Sequence, residues 1–510
     1  MTKRTSRAAG RKRTKRKASG SPAAAPAAER MGAPDSGVTV RMYRAGLGDC
    51  FLLAFRRTDG DPFHMLIDCG VHSQVRGGND RARRIVDHVR RTTGGRLDLV
   101  VVTHEHGDHI SGFHAARETF ESMEVGQLWF GWTEDPADPL AKRLDRARSL
   151  MLRGAGAAAR ALGADGDVAA GIGSLLSFFD AGSLDGGLGV SSRAVRDGIL
   201  DLSPEPPLYL RPKQPPLTLP GVDGVRIFVL GPPEDVRSLM RARPSSRPGE
   251  VYHEPDHALT PDEALSVALL GAGAGGLGPT DPIEASARPF AGNFRLATDI
   301  VRENAERFAF FHRAYGFGDG DDLAWRRIER DWCVPGESLA LKLDAATNNT
   351  SLVLAIELMA TGKVLLFAGD AQVGNWHSWH DGGWSEANGL ARGETVDAAD
   401  LLRRTVLYKV GHHGSHNATL KTRGLEMMTS PDLAAMIPVD EEWALDRRPY
   451  PWKMPFGPLY ADLRRRTGDR ILRADLGLVQ PDGRTPAAWR AFERRVDVRD
   501  LYVDLDVEDA

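Results

Sequence analysis

The sequence predicts a mixed α/β fold. Apolar or alternating runs of strand length recur along the chain, and residues 97–102, apolar at all but one position, have the composition of a strand covered on both faces. Other segments have helical periodicity: Ile85, Val86 and Val89 share one face of residues 79–91, and arginines cover the other. Several strands end directly in turns that contain glycine, histidine or aspartate. Strands and helices therefore alternate through most of the chain.

The regular pattern falls into two blocks. The first block has strands at 39–44, 50–55, 63–67, 97–102 and 125–132, and helices at 79–91 and 111–120. A strand at 225–230 stands between the blocks. The second block has strands at 351–357, 363–367, 406–410 and 434–439, helices at 398–404 and 458–466, and short strands around Ile471 and Val496.

Two stretches interrupt this pattern. Residues of about 133–220 are rich in alanine, leucine and glycine and predict helices at 140–164 and 168–179. Residues of about 236–340 mix helical patches with loops. We therefore predict one domain with two large insertions, between a tail and a short C-terminal extension. The predicted limits are 1–36 for the tail, 37–495 for the domain and 496–510 for the extension.

Composition limits the class of protein. At 510 residues the chain is long enough for one large core with insertions. A hydrophobic content of 42% and a charged content of 26% are typical of a globular protein in water, and the net charge of −3 gives no overall bias toward nucleic acid or anionic membranes. Three cysteines argue against a disulfide framework, so we expect a cytoplasmic protein without a membrane segment. The oligomeric state is left open.

The N-terminal tail differs from the rest of the chain. Lysines and arginines crowd residues 3–17, and an alanine- and proline-rich stretch follows them in place of the apolar segment of a secretory signal. Such a segment cannot bury enough apolar surface to fold, so we expect disorder. The tail is either a solvated extension or an electrostatic arm for the phosphates of a nucleic acid.

The densest group of metal-binding side chains lies at residues 103–109. Three histidines and one aspartate fall within six positions, directly after a predicted apolar strand. In an extended loop residues two apart point the same way, so His104 and His106 can face one ion, Asp108 continues the phase, and His109 follows as the chain turns into a helix. Imidazole and carboxylate are ligands that zinc accepts. Five or six such groups can hold two ions and leave a coordination position for water.

The His-x-His-x-Asp-His pattern resembles the signature of the metallo-β-lactamase superfamily. Other blocks resemble the branch of that superfamily found in DNA-uptake competence proteins and related hydrolases, and together they cover most of 37–490 apart from the two insertions. These blocks are Gly46 to Cys50, Leu66 to Gly70, Asn348 to Leu354, Leu366 to Asp370 and Lys409 to Ser415. The resemblance implies a four-layer αββα sandwich with a metal site at one edge.

The resemblance assigns roles by position. It implies that His104 and His106 hold a first ion and that Asp108 and His109 hold a second. Asp108 would also orient the attacking water, and Asp370 would bridge the two ions. The expected metal is zinc, with Mn²⁺ as an alternative.

The block after residue 408 leaves two choices open. One of His412 and His413 would complete the site of the second ion; we favour His413 as the ligand and His412 as a contact to a substrate phosphate. Lys409 either faces the substrate or is an ordinary strand residue.

One histidine of the wider superfamily pattern has no clear counterpart here. Many members carry a further histidine between the first motif and the Gly-Asp motif. The candidates in this chain are His253, His257 and His312, none of them at a predicted strand end. The competence-like branch uses the asparagine block instead, so Asn348 or Asn349 would contact the first ion, directly or through water, or the substrate.

These features predict a metal-dependent hydrolase, and the resemblance favours a phosphodiester substrate and a nuclease-like activity. Trp376 and Trp379 would then either stack on a base or belong to an ordinary amphipathic loop. A hydrolase of a small ester, thioester or lactam is an alternative, because one fold supports many chemistries. An interaction protein with a structural metal site is another. A two-iron oxidoreductase is disfavoured because that branch has glutamate where this chain has His106.

Overall fold

The computed structural model describes most of the chain from Arg30 onwards. The described residues are 30–162, 167–179, 191–241, 250–252, 301, 303–315, 341, 343–447, 451–483 and 486–509. Residues 1–29 of the predicted tail, His253, His257 and most of the second insertion lie outside these ranges. Within them, no helix has both the length and the apolar character that crossing a membrane requires.

Eight strands form the first sheet. They are β1 (Gly37–Tyr43), β2 (Cys50–Arg56), β3 (Pro62–Cys69), β4 (Arg96–Val101), β5 (Glu124–Gly131), β6 (Leu208–Leu210), β16 (Val496–Val498) and β17 (Tyr502–Glu508). Their order is β16-β17-β1-β2-β3-β4-β5-β6, antiparallel up to β3 and parallel from β3 to β6. Strand β17 pairs with β1 along its whole length. The predicted C-terminal extension is therefore part of this sheet, and the limit drawn at residue 495 cuts through the fold.

Seven strands form the second sheet. They are β7 (Val225–Gly231), β8 (Val353–Leu358), β9 (Lys363–Phe367), β12 (Thr405–Lys409), β13 (Ala434–Ile437), β14 (Ile471–Arg473) and β15 (Gly477–Leu478), in the order β15-β14-β13-β12-β9-β8-β7. Strands β9, β12, β13 and β14 are parallel. A small separate pair consists of β10 (Gly383–Trp384) and β11 (Val396–Asp397).

Each predicted helix has a counterpart in the structure, which also contains helices that the sequence analysis does not predict. Before the second insertion they are α1 (Gly78–Thr93), α2 (Gly107–Ala115), α3 (Arg117–Glu121), α4 (Pro139–Leu162), α5 (Asp167–Leu176), α6 (Ser192–Ile199) and α7 (Val236–Leu239). From the second insertion to the end of the described chain they are α8 (Ala309–Tyr315), α9 (Val373–Ser378), α10 (Ala398–Arg403), α11 (Glu441–Leu445), α12 (Gly457–Thr467) and α13 (Ala487–Glu493). The helix predicted at 111–120 is two helices, α2 and α3, and α2 begins four residues earlier, so Asp108 and His109 lie in its first turn.

Two buried clusters hold the sheets and helices together. One combines apolar side chains from both sheets, such as Leu53 and Met65 with Ile356 and Leu365. The other cluster joins the remaining strand positions to helices. It contains Ile85 of α1 together with strand residues such as Leu66 and Val100. Alternating strand residues therefore serve two different cores. The fold is mixed α/β with two multi-stranded sheets, as the sequence predicts.

The described part of the first insertion is largely helical, as predicted, and the insertion ends before the predicted limit at about residue 220. Helices α4, α5 and α6 belong to it, and the 3₁₀ helix Ser177–Phe179 follows α5. Strand β6 returns the chain to the first sheet beside β5 at residue 208. A three-residue strand with one buried position has too little pattern to be recognised from sequence.

Candidate metal centre

Strand ends from both sheets converge at one edge of the fold. Asp68 lies at the end of β3, and the loop 103–109 begins just after β4. Asp370 follows β9, and His412 and His413 follow β12. Because β3 is parallel to β4 and β9 is parallel to β12, the carboxyl ends of each pair lie at the same edge. Sites in sheets of this kind form outside the carboxyl ends of the strands.

Four of the predicted ligands form a compact buried group. The side chains of Asp108, His109, Asp370 and His413 bring their ligand atoms within 4.8 Å of one another. Asp108 Oδ2 is 2.9 Å from His413 Nε2, and Asp370 Oδ2 is 3.1 Å from His109 Nε2. None of the four is more than 1% exposed. This four-ligand cluster can hold a metal ion, and it contains His413 rather than His412.

Neighbouring acceptors orient both histidines of the four-ligand cluster. His413 Nδ1 lies 2.7 Å from the carbonyl oxygen of Pro438, and His109 Nδ1 lies 2.8 Å from Asp68 Oδ2. A carbonyl and a carboxylate accept hydrogen bonds, so each Nδ1 carries a proton and donates it. Each Nε2 is therefore the nitrogen available to an ion. Outer carboxylates and carbonyls hold metal-binding histidines in this way.

His104 and His106 form a pair beside this cluster. His104 Nε2 and His106 Nδ1 are 3.1 Å apart, close to the separation of roughly 3.3 Å expected for two nitrogens on one tetrahedral zinc ion. Thr103 Oγ1 donates to Asp68 at 2.6 Å and can accept from the Nδ1–H of His104 at 3.1 Å. In the part of the chain that the structure describes, neither histidine belongs to a group of three close ligand atoms. The two nitrogens of the histidine pair face one point, and among the described residues no third ligand atom completes a group with them.

Two glycines let the backbones at this edge approach one another. A Cβ on Gly70 would lie 2.2 Å from the carbonyl oxygen of Asp108 and 2.4 Å from the nitrogen of His109. Gly48 has a φ of +146°, and its Cβ would lie 2.4 Å from the Gly70 oxygen. The Asp49 N–H donates to the Asp108 carbonyl at 2.9 Å, and the Gly70 N–H donates to the Asp49 carbonyl at 2.8 Å. The two glycine turns of the sequence therefore fix the position of the metal loop.

Neighbouring charges shift the pKa values of His109 and Asp370 in the four-ligand cluster. Burial opposes protonation of His109, but the carboxylates of Asp370, Asp49 and Asp108 raise its pKa well above the ordinary value. Burial raises the pKa of Asp370, yet His109 and then Lys409 hold it well below the ordinary value. A proton on His109 competes with a cation for the same nitrogen. Binding of a cation should therefore release protons and tighten as pH rises.

Searches for similar proteins add nothing to this geometry: no protein-family model, no curated protein and no solved structure matches the chain. The resemblance to the metallo-β-lactamase superfamily therefore stays a prediction that rests on the motifs themselves. The buried histidine and aspartate cluster is an observation independent of it.

Lys409 lies inside the site rather than facing a substrate. Its side chain is 2% exposed. The Nζ pairs with Asp49, lies 3.3 Å from Asp370 Oδ1 and donates to the Gly369 carbonyl at 2.8 Å. Burial alone would lower the pKa of Lys409, but Asp49 and Asp370 raise it well above the ordinary value. Of the two alternatives for Lys409, a contact to substrate does not fit this buried, paired position. The lysine positions two carboxylates.

His412 supports the cluster through its backbone. Its N–H donates to Asp370 Oδ1 at 2.8 Å, and its ring Nδ1 lies 2.9 Å from Ser415 Oγ and 3.3 Å from Gln372 Nε2. Burial lowers the pKa of His412 to about 4, so the ring is neutral at neutral pH. At 7% it is more exposed than His413, which has no exposed surface. Contact with a substrate phosphate stays a prediction for His412.

The two asparagines have different environments. Asn349 donates to the carbonyls of Leu239 and Arg241, at 3.2 and 2.9 Å, and accepts from the Asn375 N–H at 3.1 Å. Its amide joins chain segments and is not free to contact an ion. Asn348 donates to an aspartate carboxylate through Nδ2 at 3.2 Å, and its buried Oδ1 has no hydrogen-bond partner. Of the two, Asn348 is the one that keeps an available oxygen.

The tryptophans near Asp370 do not form a stacking surface. Trp376 is 0% and Trp379 is 1% exposed, and their rings lie 3.9 Å apart in the core. The indole N–H of Trp376 donates to the carbonyls of Ala371 and Ala418, at 3.1 and 2.9 Å. Of the two alternatives for these tryptophans, stacking on a base does not fit, because both rings point into the core at and just after helix α9.

The first insertion covers the histidine pair. The ring centres of Phe178 and Phe179 lie 5.6 and 4.7 Å from that of His106, and Phe178 stacks on Trp452 at 5.2 Å. Both phenylalanines are buried. Leu343 packs against them in a small cluster. These side chains form an apolar wall, here called the phenylalanine wall, that shields the histidine pair from water.

A buried network of charges ties the insertion to the metal loop. Glu105, between the two histidines of the pair, lies 3.1 Å from both Arg148 of α4 and Arg196 of α6. Glu134 contacts the same arginines at 3.3 and 2.5 Å. Three of the four side chains are at most 5% exposed, and Arg196 is 13% exposed. Removing one member leaves an uncompensated buried charge.

We expect Arg148→Met to destabilise the protein by about 3–5 kcal/mol, because Glu105 and Glu134 would then share one arginine in a buried site. Urea unfolding measures this loss, and limited proteolysis should cut within the insertion. The matched control is Arg193→Met: Arg193 pairs with Asp145 but is 43% exposed, so its loss should be below about 1 kcal/mol. Equal losses in the two variants would contradict the role of the network.

Proposed function

We propose that this protein is a metal-dependent hydrolase with a metallo-β-lactamase-like, four-layer αββα arrangement, two bound zinc ions and a phosphodiester substrate. One observation carries the proposal: Asp108, His109, Asp370 and His413, from strand ends far apart in sequence, form a buried cluster of close ligand atoms. Their chemistry, imidazole with carboxylate, fits zinc. Nothing in the fold requires such a costly cluster for stability alone, because buried charges rarely contribute net stability.

The charge of the site supports two ions rather than one. Five buried carboxylates lie in or beside it, and among the described residues Lys409 is the fixed cation that faces them. The carboxylates are those of Asp49, Asp68, Asp108, Asp344 and Asp370. If all five carboxylates are ionised and the imidazoles are neutral, the formal count is four negative charges, which two divalent cations would neutralise. Burial of charges without such compensation would cost several kcal/mol per ion.

The residues of the chain would divide the work of hydrolysis. Ions bound at the histidine pair and the four-ligand cluster would polarise a substrate oxygen and make a water molecule a nucleophile near neutral pH. Asp108 would orient that water through its second carboxylate oxygen, Oδ1, which has no partner. Lys409 and the His412 N–H would hold Asp370 in place. The phenylalanine wall would exclude bulk water and so strengthen these interactions.

The phosphodiester substrate rests on the resemblance of the accessory blocks to the competence-like branch and on the basic residues 3–17. A polyanionic substrate would be attracted to that arm by release of counterions. His412 would be the contact to the phosphate, since its ring is the more exposed of the two late histidines.

The burial of the site supports a second candidate, a hydrolase of a small ester, thioester or lactam. Every predicted ligand side chain is at most 1% exposed, apart from His412 at 7%. A long nucleic acid reaches such a site only if the wall over His106 opens, whereas a small substrate needs less movement. A purely structural metal site is the third possibility and predicts bound metal without turnover.

A substrate panel tests the proposal. Protein loaded with Zn²⁺ or Mn²⁺ should cleave bis-p-nitrophenyl phosphate, single-stranded DNA or RNA, and Asp108→Asn should lower the rate by more than about 100-fold, the upper range for loss of an outer partner. The matched control is Asp80→Asn, whose side chain is 82% exposed. Turnover of p-nitrophenyl acetate, a thioester or a lactam alone would favour the second candidate. Two bound ions without any turnover would favour a structural site.

A further inference from the structure

Asp344 is a buried carboxylate next to the histidine pair that no motif indicated. It lies in the helical segment 343–348, immediately before the asparagine block. The residue is 7% exposed, and its Oδ1 is 4.0 Å from His106 Nε2. Asn348 Nδ2 donates to its other oxygen at 3.2 Å. One carboxylate oxygen is therefore fixed by Asn348, and the other is directed at His106.

Unpartnered polar atoms mark this contact. Asp344 Oδ1, His106 Nε2 and Asn348 Oδ1 are all buried and have no hydrogen-bond partner. Buried polar atoms are normally paired, and each that is not costs about 1–3 kcal/mol. Three such atoms at one place indicate an arrangement that is completed when something binds.

Asp344 also lacks a counter-charge. Its nearest ionisable neighbour in the described structure is the His106 ring, 4.0 Å away. Other buried carboxylates of this site have a cationic neighbour: Lys409 faces both Asp49 and Asp370. Among the described residues, no lysine or arginine is recorded within ion-pair distance of Asp344. A cation at the histidine pair would supply the missing positive charge.

His109 shows how a carboxylate can orient a histidine for an ion in this site. Asp68 Oδ2 accepts from His109 Nδ1, which leaves Nε2 for the second ion. At His106 the two ring nitrogens have the opposite roles. Nδ1 lies 3.1 Å from His104 Nε2 and is the nitrogen placed for an ion, and Nε2 points to the Asp344 carboxylate. An ion on Nδ1 requires the proton of the neutral ring to be on Nε2. That proton needs an acceptor, and Asp344 Oδ1 is about 1 Å beyond hydrogen-bond distance.

We propose that Asp344 is the carboxylate partner of His106, a positioning residue that accepts the Nε2–H of the ring and gives the first ion the negative charge that its site otherwise lacks. The inference rests on the proposed two-ion site and deepens it. Asp344 would supply part of what the further histidine provides in other members of the superfamily. On binding of the first ion, the His106 Nε2 to Asp344 Oδ1 distance would close to a hydrogen bond.

The test is Asp344→Asn, which keeps the shape of the side chain and removes its charge. Zinc content after gel filtration and competition with a chelator should show two ions in the wild type and a first ion bound about 10–100-fold more weakly in the variant. Without metal, the variant should melt at the same temperature as the wild type or higher, because no cation then stabilises the Asp344 carboxylate. The added stability on zinc binding should be smaller in the variant.

Glu357→Gln is the matched control. Glu357 is a buried carboxylate, but it is paired with Arg226 and Arg404 in the second sheet. Its loss should lower the melting temperature with and without zinc and leave the zinc content unchanged. Asp344→Asn behaving like this control, or failing to fold without metal, would overturn the inference. A wild type that binds fewer than two ions would instead overturn the proposed two-ion function.

Discussion

Asp370→Asn is expected to abolish tight metal binding at the four-ligand cluster and to lower hydrolysis by more than about 100-fold. Loss of an outer-shell partner alone costs a metal site about 10–100-fold, and a ligand shared between two ions should cost more. Asp370 Oδ2 is 3.1 Å from His109 Nε2, while Oδ1 receives the His412 N–H at 2.8 Å and Lys409 at 3.3 Å. An amide cannot supply the negative charge that all three neighbours use.

The measurements are zinc content, zinc affinity and the rate on the best substrate of the panel. The matched control is Asp381→Asn, an exposed aspartate in the segment after helix α9, which should leave all three unchanged. An Asp370→Asn protein that keeps two ions and the wild-type rate would show that Asp370 does not bridge the ions. Circular dichroism of both variants separates a loss of the site from a loss of the fold.

Much of the site could be predicted because its residues follow strands. The runs 97–102, 363–367 and 406–410 are each apolar at all but one or two positions, and each is followed within three residues by a histidine or aspartate. Because β9 and β12 are parallel neighbours, Asp370 and His412 come to one edge of the second sheet. That this edge meets the 103–109 loop of the first sheet was implied by the family resemblance and not by the strand pattern.

The residues that sequence could not assign act through contacts between distant segments. Glu105 occupies an unspecified position of the motif, and only the fold shows that two arginines from the insertion reach it. Asp344 lies beside the second insertion, where no periodic pattern places it near His106. Lys409 is an alternating strand position whose side chain could point either way; the register of β12 with β9 turns it toward Asp370.

The sequence could not decide between the two alternatives for the tryptophans for a related reason. A Trp-His-Ser-Trp sequence has the same composition in an exposed loop and in a buried helical turn. Whether the tryptophan rings are buried depends on what packs against them. Here these are the second sheet and the Ala418 carbonyl, which accepts the indole N–H of Trp376. Hydrogen-bond partners of this kind are far away in sequence, and composition does not reveal them.

Lys409→Met is expected to destabilise the metal-free protein by about 3–5 kcal/mol, since Asp49 and Asp370 would be left buried without their shared cation. The effect should be smaller with zinc bound, because divalent ions neutralise the same carboxylates. The measurement is urea unfolding of wild type and variant, each with zinc and with a chelator. A lysine that only packed its carbon chain against β9 would give the same small loss under both conditions, and one that faced substrate would change KM with little effect on stability. A difference that appears only without zinc would establish that lysine and metal neutralise the same buried carboxylates, and would place Lys409 among the residues that keep the site folded until the ions arrive.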